Sequence, residues 1–589
     1  MSAMKTVEGR FVRAARLEDV RRTGCLPVSV NGQAVALFAH DNRIYAVDNR
    51  CPHMGFPLHR GSVRDGILTC HWHHARFDLA TGGTFDLWAD DVRTFPVEIR
   101  DGDVWVDVSP RKDPSRHQLD RLRDGLEREL DLVIAKTVIG LLAAGEDPAE
   151  PFRIGLEFGA HYRAAGWGRG LTTLTCLMNL IPYLGPDDRA RALYHGLSDV
   201  ATDCAGSPPR HRIRSLPGRP SDLGVIRRWF REFVEVRDAD GAERCIASAL
   251  GAGAGPRQIA DMLFTAATDH RYLDGGHLLD FTNKAFEALD VAGWTHAEAA
   301  LTSLAPAYAQ AERMEESNSW RHPIDLVEIV EAAFDAIPDA ARAGKRRQGT
   351  WSGPEALVPV LLGQDPRAIA DSLLDELRQG ATGVDLACAV SYAAALRIAH
   401  FAKSNEFGDW DTALHTFTFA NAVEQGLRRL GDDPAWEPPL LLRGVFDAAI
   451  SVYLDRFLNV PPARLPEAAE PGDPEELLRD LAHLLDRQQQ VDEAGALVAR
   501  YMGSGGPPER LLATLGGLLL RENRNFHTTQ MIEVAFQQFR HLRGTPAATH
   551  VLIAAARYLA AHAPTMRSQE QTFQIAHRLH RGDRLYGDV

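Results

Sequence analysis

The sequence has no stretch of eighteen or more apolar residues, which excludes an ordinary membrane-spanning helix. Its best apolar run, Leu132 to Leu142, is broken by Lys136. Met1-Ser2-Ala3-Met4-Lys5 leads into charged sequence with no apolar signal region, so no leader is expected. A basic tail is also missing. The net charge is −14 and the pI about 5.9, which argues against nucleic acid as a partner. Cysteine is scarce: Cys25, Cys51, Cys70, Cys176, Cys204, Cys245 and Cys388 are too scattered for a disulfide framework. These absences fit a cytoplasmic protein. No Cys-x-x-Cys-His is present to attach haem. Gly251-Ala-Gly-Ala-Gly255 has no preceding strand and reads as a loop, not a phosphate cradle.

What stands out instead is Cys51-Pro52-His53, then sixteen residues, then Cys70-His71-Trp72-His73. Two Cys and two His suit tetrahedral zinc. They also suit a [2Fe–2S] cluster in which two thiolates hold one iron and two imidazoles the other. The wider pattern adds Met54-Gly55, Leu58, Gly61, Phe77-Asp78, Thr81-Gly82-Gly83 and Pro96. With these the stretch from about residue 8 to 110 resembles the Rieske ferredoxin family. That resemblance implies a Rieske [2Fe–2S] cluster ligated by Cys51, His53, Cys70 and His73. It also implies the soluble ferredoxin and oxygenase branch, because the extra cysteine pair of respiratory Rieske proteins is missing beside Met54 and Trp72. A potential low in the Rieske range, around −150 mV, is expected. Many members have Pro and Gly where this chain has His71 and His74, so the loop near the exposed cluster edge is altered.

Short β-prone runs separated by Asn31-Gly32, Asp41-Asn42, Asp65-Gly66 and Asp101-Gly102 predict a small all-β sandwich or barrel over residues 1–108. Residues 109–116 carry Pro110 and Pro114 among charges and read as a linker. From 117 to 589, apolar residues recur at helical spacing, as in Leu119, Leu122, Leu126 and Leu130. A large all-α domain is expected there. Proline-bearing or basic loops are expected at 205–222 and 343–355, and a subdomain break near 461–475.

Within the helical part a histidine recurs with Asn or Glu six residues on: His277 with Asn283, His322 with Glu328, His415 with Asn421, His527 with Glu533. The first intervals, 45 and 93 residues, suit stacked helix pairs of the HEAT kind; the next breaks the period. On one reading these residues only satisfy nearby backbone. On the other they gather on one concave surface as metal ligands, acid–base groups or substrate contacts. His270, His277 and Asp280 form the closest local set with 2-His-1-carboxylate chemistry, which suits a second, non-haem iron. Glu157 with His161 and His195 with Asp199 are similar pairs at helical spacing. Trp320, Trp410 and Tyr272 are candidates for an aromatic pocket. The iron-site pattern of known Rieske oxygenases is not recognisable, and the helical character contradicts their catalytic fold.

The favoured reading is an iron–sulfur oxidoreductase. A separate reductase or ferredoxin would donate single electrons, the cluster would relay them, and a small organic substrate would be oxidised in the helical domain, with O₂ as a possible co-substrate. The alternative is a non-catalytic electron-transfer or redox-sensing module on a helical docking scaffold.

Overall fold

The computed structural model describes residues 10–109, 114–218, 222–431, 439–466 and 472–585. The first ten strands are short and entirely antiparallel. β2 (Cys25–Val30), β3 (Gln33–His40), β4 (Arg43–Asp48) and β8 (Thr94–Phe95) form one sheet in that order. β1 (Val12–Arg16), β10 (Asp103–Val106) and β9 (Val97–Arg100) form a second, and β5 (Ser62–Arg64), β6 (Ile67–Thr69) and β7 (Arg76–Asp78) a third. All four expected turn pairs take positive φ at both residues, the geometry that matches the twist of a two-residue hairpin.

β3 organises this unit. Successive side chains on a strand face opposite ways. Ala36 and Phe38 pack with Val47, Leu58, Leu68 and Phe77, while Val35 and Leu37 pack with Val30, Ala46, Val104 and Val106. One strand thus serves two small cores. The first of them contains Cys51 and Cys70.

The chain separates into two compact units: 1–147 with 571–589, and 148–570. The division therefore does not fall at 109–116. Residues 110–113 of the expected linker lie outside the described residues, and 114–116 already belong to α2 (Pro114–Glu127). α2 and α3 (Asp131–Ala143) belong to the β unit. Arg121 of α2 pairs with Asp90, Arg128 donates to the Leu87 carbonyl at 2.9 Å, and Lys136 of α3 donates to the Pro52 carbonyl. Residues 148–570 are helical, as expected. Of the 461–475 break, residues 467–471 lie outside the described residues, and a helix begins at Pro474. Among the described residues no helix is long and apolar enough to cross a membrane.

The loops Cys51–Phe56 and Cys70–Ala75 share one geometry. The Cys51 amide donates to the Phe56 carbonyl and the Cys70 amide to the Ala75 carbonyl, both at 2.8 Å. The fifth residue of each loop is left-handed: Gly55 at φ +80° and His74 at φ +63°. A residue with a Cβ is strained there by about 1 kcal/mol or more. His74 therefore occupies a position built for glycine. Thermal unfolding of a His74→Gly variant is expected to show stabilisation by about 1 kcal/mol, with the cluster retained.

Candidate functional site

Two separate groups of side chains have the chemistry to hold a metal centre, one in each unit.

In the first, Cys51 and Cys70 are buried and hydrogen-bond to each other through their side chains. The backbone amides of His53 and Met54 donate to the Cys51 sulfur, and those of Trp72 and His73 to the Cys70 sulfur. Each loop thus aims two N–H dipoles at its sulfur, which favours the thiolate. The bond from Cys51 leads in pulling the Cys70 thiol down to about 6, while the same bond and burial raise Cys51. The His53 and His73 rings lie 4.9 Å apart at 80°. Burial, then His73 and Lys136, lowers His53 to about 4, so its imidazole is neutral at pH 7. Its Nδ1 is buried without a hydrogen-bond partner. Paired sulfurs ringed by amides, beside a neutral imidazole with an orphaned nitrogen, fit a mixed thiolate–imidazole cluster better than they fit a closed protein core. Trp88 packs on His53 at 4.9 Å, and His71 bonds Ser62 at 3.0 Å.

Residues 10–96 match the model of the Rieske [2Fe–2S] domain. The ferredoxin component of the naphthalene 1,2-dioxygenase system of Pseudomonas putida is 31% identical over 101 residues, 17% of this chain and 97% of that protein. Through this unit, the chain belongs to the Rieske family. The 3-phenylpropionate/cinnamic acid dioxygenase ferredoxin subunit of Photorhabdus laumondii is 38% identical over 77 residues, 13% of this chain and 73% of that protein. The solved ferredoxin of carbazole 1,9a-dioxygenase from Nocardioides aromaticivorans is 25% identical, with 17% of this chain and all of that one covered at a TM-score of 0.17. The Rieske domain supports a Rieske-type [2Fe–2S] cluster and electron transfer by it. α2, α3 and the helical unit lie beyond the residues the family model matches.

The second group is in the helical unit. His277 is the first residue of the helix His277–Ala292. His415 lies within the helix Phe407–Leu430 and His527 in the first turn of Phe526–Leu542. One ligand atom from each of the three lies within 4.8 Å of the others, and the Nε2 atoms of His415 and His527 are 3.0 Å apart. His277 Nδ1 faces the Asp274 carbonyl at 2.9 Å, and His527 Nδ1 faces the Asp411 carboxylate at 3.4 Å. Tyr558 donates its hydroxyl to Asp411 at 2.5 Å. A carbonyl or carboxylate behind one ring nitrogen leaves a lone pair on the other, as metal-ligating histidines require. Burial, then the two neighbouring histidines, pushes His415 down to about 3, so repulsion between protons does not hold the group apart. Three half-buried imidazoles suit zinc, copper, iron or nickel.

This arrangement corrects several expectations. His322 is exposed and lies before the helix Leu326–Gly344, away from the other three. The set His270, His277, Asp280 is not assembled. His270 bonds Glu315 at 2.5 Å and Glu235 at 2.7 Å. These acids raise its pKa, Glu315 leading, which suits a paired imidazolium and not a ligand. Asp280 is buried against Gln530. Glu157 faces His296 at 3.4 Å instead of His161. His195 is buried, and burial lowers it to about 3; Asp199 lines the same small recess. Trp410 packs on Phe401 and Tyr558 as core, and Trp320 stacks on Tyr272. The sequence reading missed Tyr558. Asp411, four residues before His415 in the chain, serves His527 on another helix.

Beneath the three histidines runs a buried polar seam. Lys284 donates to Glu287 at 2.9 Å and to Glu533 at 2.7 Å, and Asn179 donates to the same two carboxylates. Gln538 donates to Asn421 and Glu424 at 2.9 and 2.7 Å. Asn283, Asn421 and Glu533, the sixth residues after their histidines, all belong to it. Burial raises Asp280 to about 7, against the pull of Lys284. An unfolded aspartate titrates near 3.9. Between about pH 4 and 7 the folded chain holds a proton that the unfolded chain has lost, so this group lowers stability as pH rises across that window. Urea unfolding at stepped pH is expected to show a smaller decline from pH 4 to 7 in Asp280→Asn than in the parent; an unchanged slope would contradict the burial of this carboxyl.

Proposed function

We propose that the protein is a Rieske-type oxidoreductase. Its cluster takes single electrons from a separate reductase or ferredoxin and relays them to a metal held by His277, His415 and His527. The observation that carries this reading is the convergence of three imidazoles from three helices far apart in sequence, two of them backed by a carbonyl or carboxylate. A redox-active metal bound there would supply one-electron and O₂ chemistry. The chain's own part is to keep His415 neutral by burial and to fix His527 through Asp411 and Tyr558. A recess of about 370 Å³ beside the first turn of the His277 helix, lined by Trp167, Arg163, Leu278 and Phe281, offers room for a small organic substrate.

The ferredoxin relatives are named as components of dioxygenase systems. By that analogy the Rieske unit would serve as the carrier, joined here to the unit it supplies. The second reading, a carrier without catalysis on a docking scaffold, draws on the exposed Phe85, Leu87 and Trp88 in the Rieske unit, a surface for a separate redox partner.

Rapid mixing separates the two. The cluster is reduced without oxygen, then mixed with O₂, and its absorbance is followed. In the relay, His415→Ala is expected to keep its cluster and reoxidise more slowly than the parent. Equal rates would leave the carrier alone.

A further inference from the structure

We propose that Lys136, on a helix outside the matched Rieske domain, raises the reduction potential of the cluster by polarising the two peptide groups that donate to Cys51. α3 is buried through Val133, Ile134, Ala135, Thr137 and Val138, and Lys136 is the only charge in the run Leu132 to Leu142. Its ammonium donates to the carbonyl of Pro52, and to that of His53 at 3.3 Å. The Pro52 carbonyl shares a peptide unit with the His53 N–H, and the His53 carbonyl shares one with the Met54 N–H. Those are the two amides that donate to the Cys51 sulfur. The chain of contacts runs from ammonium to carbonyl, through the peptide, to N–H and sulfur, twice in parallel. Hydrogen bonds linked in this way strengthen one another. Hydrogen bonds to the sulfurs and net local charge both set the potential of such clusters.

The surrounding charges leave this effect uncancelled. Asp90, which lines the same cavity, is taken up by Arg121. Glu129 and Asp131, also on that cavity, are exposed to solvent. Among the described residues no carboxylate forms an ion pair with Lys136. Reduction adds an electron to the cluster, and the positive charge of the ammonium behind Cys51 favours the reduced state. The tuning falls on the loop that carries His53.

The inference rests on the Rieske cluster and is independent of the helical histidines. Its test is the midpoint potential of the full-length protein, read by redox titration of the reduced cluster's EPR signal. Three variants divide the causes. Lys136→Arg keeps the charge and is expected to stay near the parent. Lys136→Gln keeps a donor but loses the charge, and its potential is expected to fall. Lys136→Met loses both and is expected to fall furthest, with the EPR line shape preserved. Unchanged potentials in Gln and Met variants that hold their cluster would overturn the proposal. Loss of the cluster from all three would overturn it as well, because Lys136 would then serve only to fold the loop.

Discussion

A lysine with no exposed side-chain surface fixes the helical unit. Lys284 has Glu287 below it on its own helix and Glu533 opposite it on the helix of His527. Through Gln538, Asn421 and Glu424 the seam reaches the helix of His415. A buried ion pair of this kind adds little stability over an apolar replacement, but leaving one partner alone costs about 3–5 kcal/mol. Its consequence is register. A shift of one helix along another would strand a charge away from water, so each helix has one acceptable height. At that height the three histidines meet, one or two turns above the seam. The polar seam is thus the condition for the site, and the site could not be built on an apolar core free to slide.

Both centres use the same device at different scales. In the Rieske unit, backbone amides are aimed at two sulfurs by loops closed with a single amide-to-carbonyl bond. In the helical unit, a backbone carbonyl and a carboxylate are aimed at ring nitrogens. In each case the group behind the ligand sets its direction, and rigid elements hold that group in place. The difference lies in the outer shell. The cluster loops draw theirs from their own peptides and from Lys136, whereas the histidines draw theirs from neighbouring turns and helices.

Local chemistry was legible in the sequence and long-range assembly was not. Asn31-Gly32 and its counterparts name their turns because both positions need positive φ. Cys51, His53, Cys70 and His73 sit on two short loops at the spacing that carries the family resemblance. The histidine pattern was real for His277, His415 and His527, but His415 and His527 are 112 residues apart and no periodicity carries the meeting of their nitrogens. His322 shares the pattern without sharing the place, since a histidine ahead of a polar residue costs nothing on an exposed turn. His270 and Asp280 lie near His277 in sequence, yet a left-handed stretch at Tyr272 and Asp274 separates His270 from that helix. Lys136 read as a flaw in an apolar run. Only the three-dimensional position of the Pro52 and His53 carbonyls gives it a purpose. The unit boundary was misplaced for a related reason: helical spacing shows where helices begin, not which core they join.

The central claim is that the chain holds a metal beyond its cluster. Iron and other transition metals, measured together with acid-labile sulfide on the intact protein, test it most directly. The account predicts metal in excess of that paired with sulfide, with the excess lost in His415→Ala and the sulfide unchanged. Metal that matches the sulfide in both proteins would contradict it.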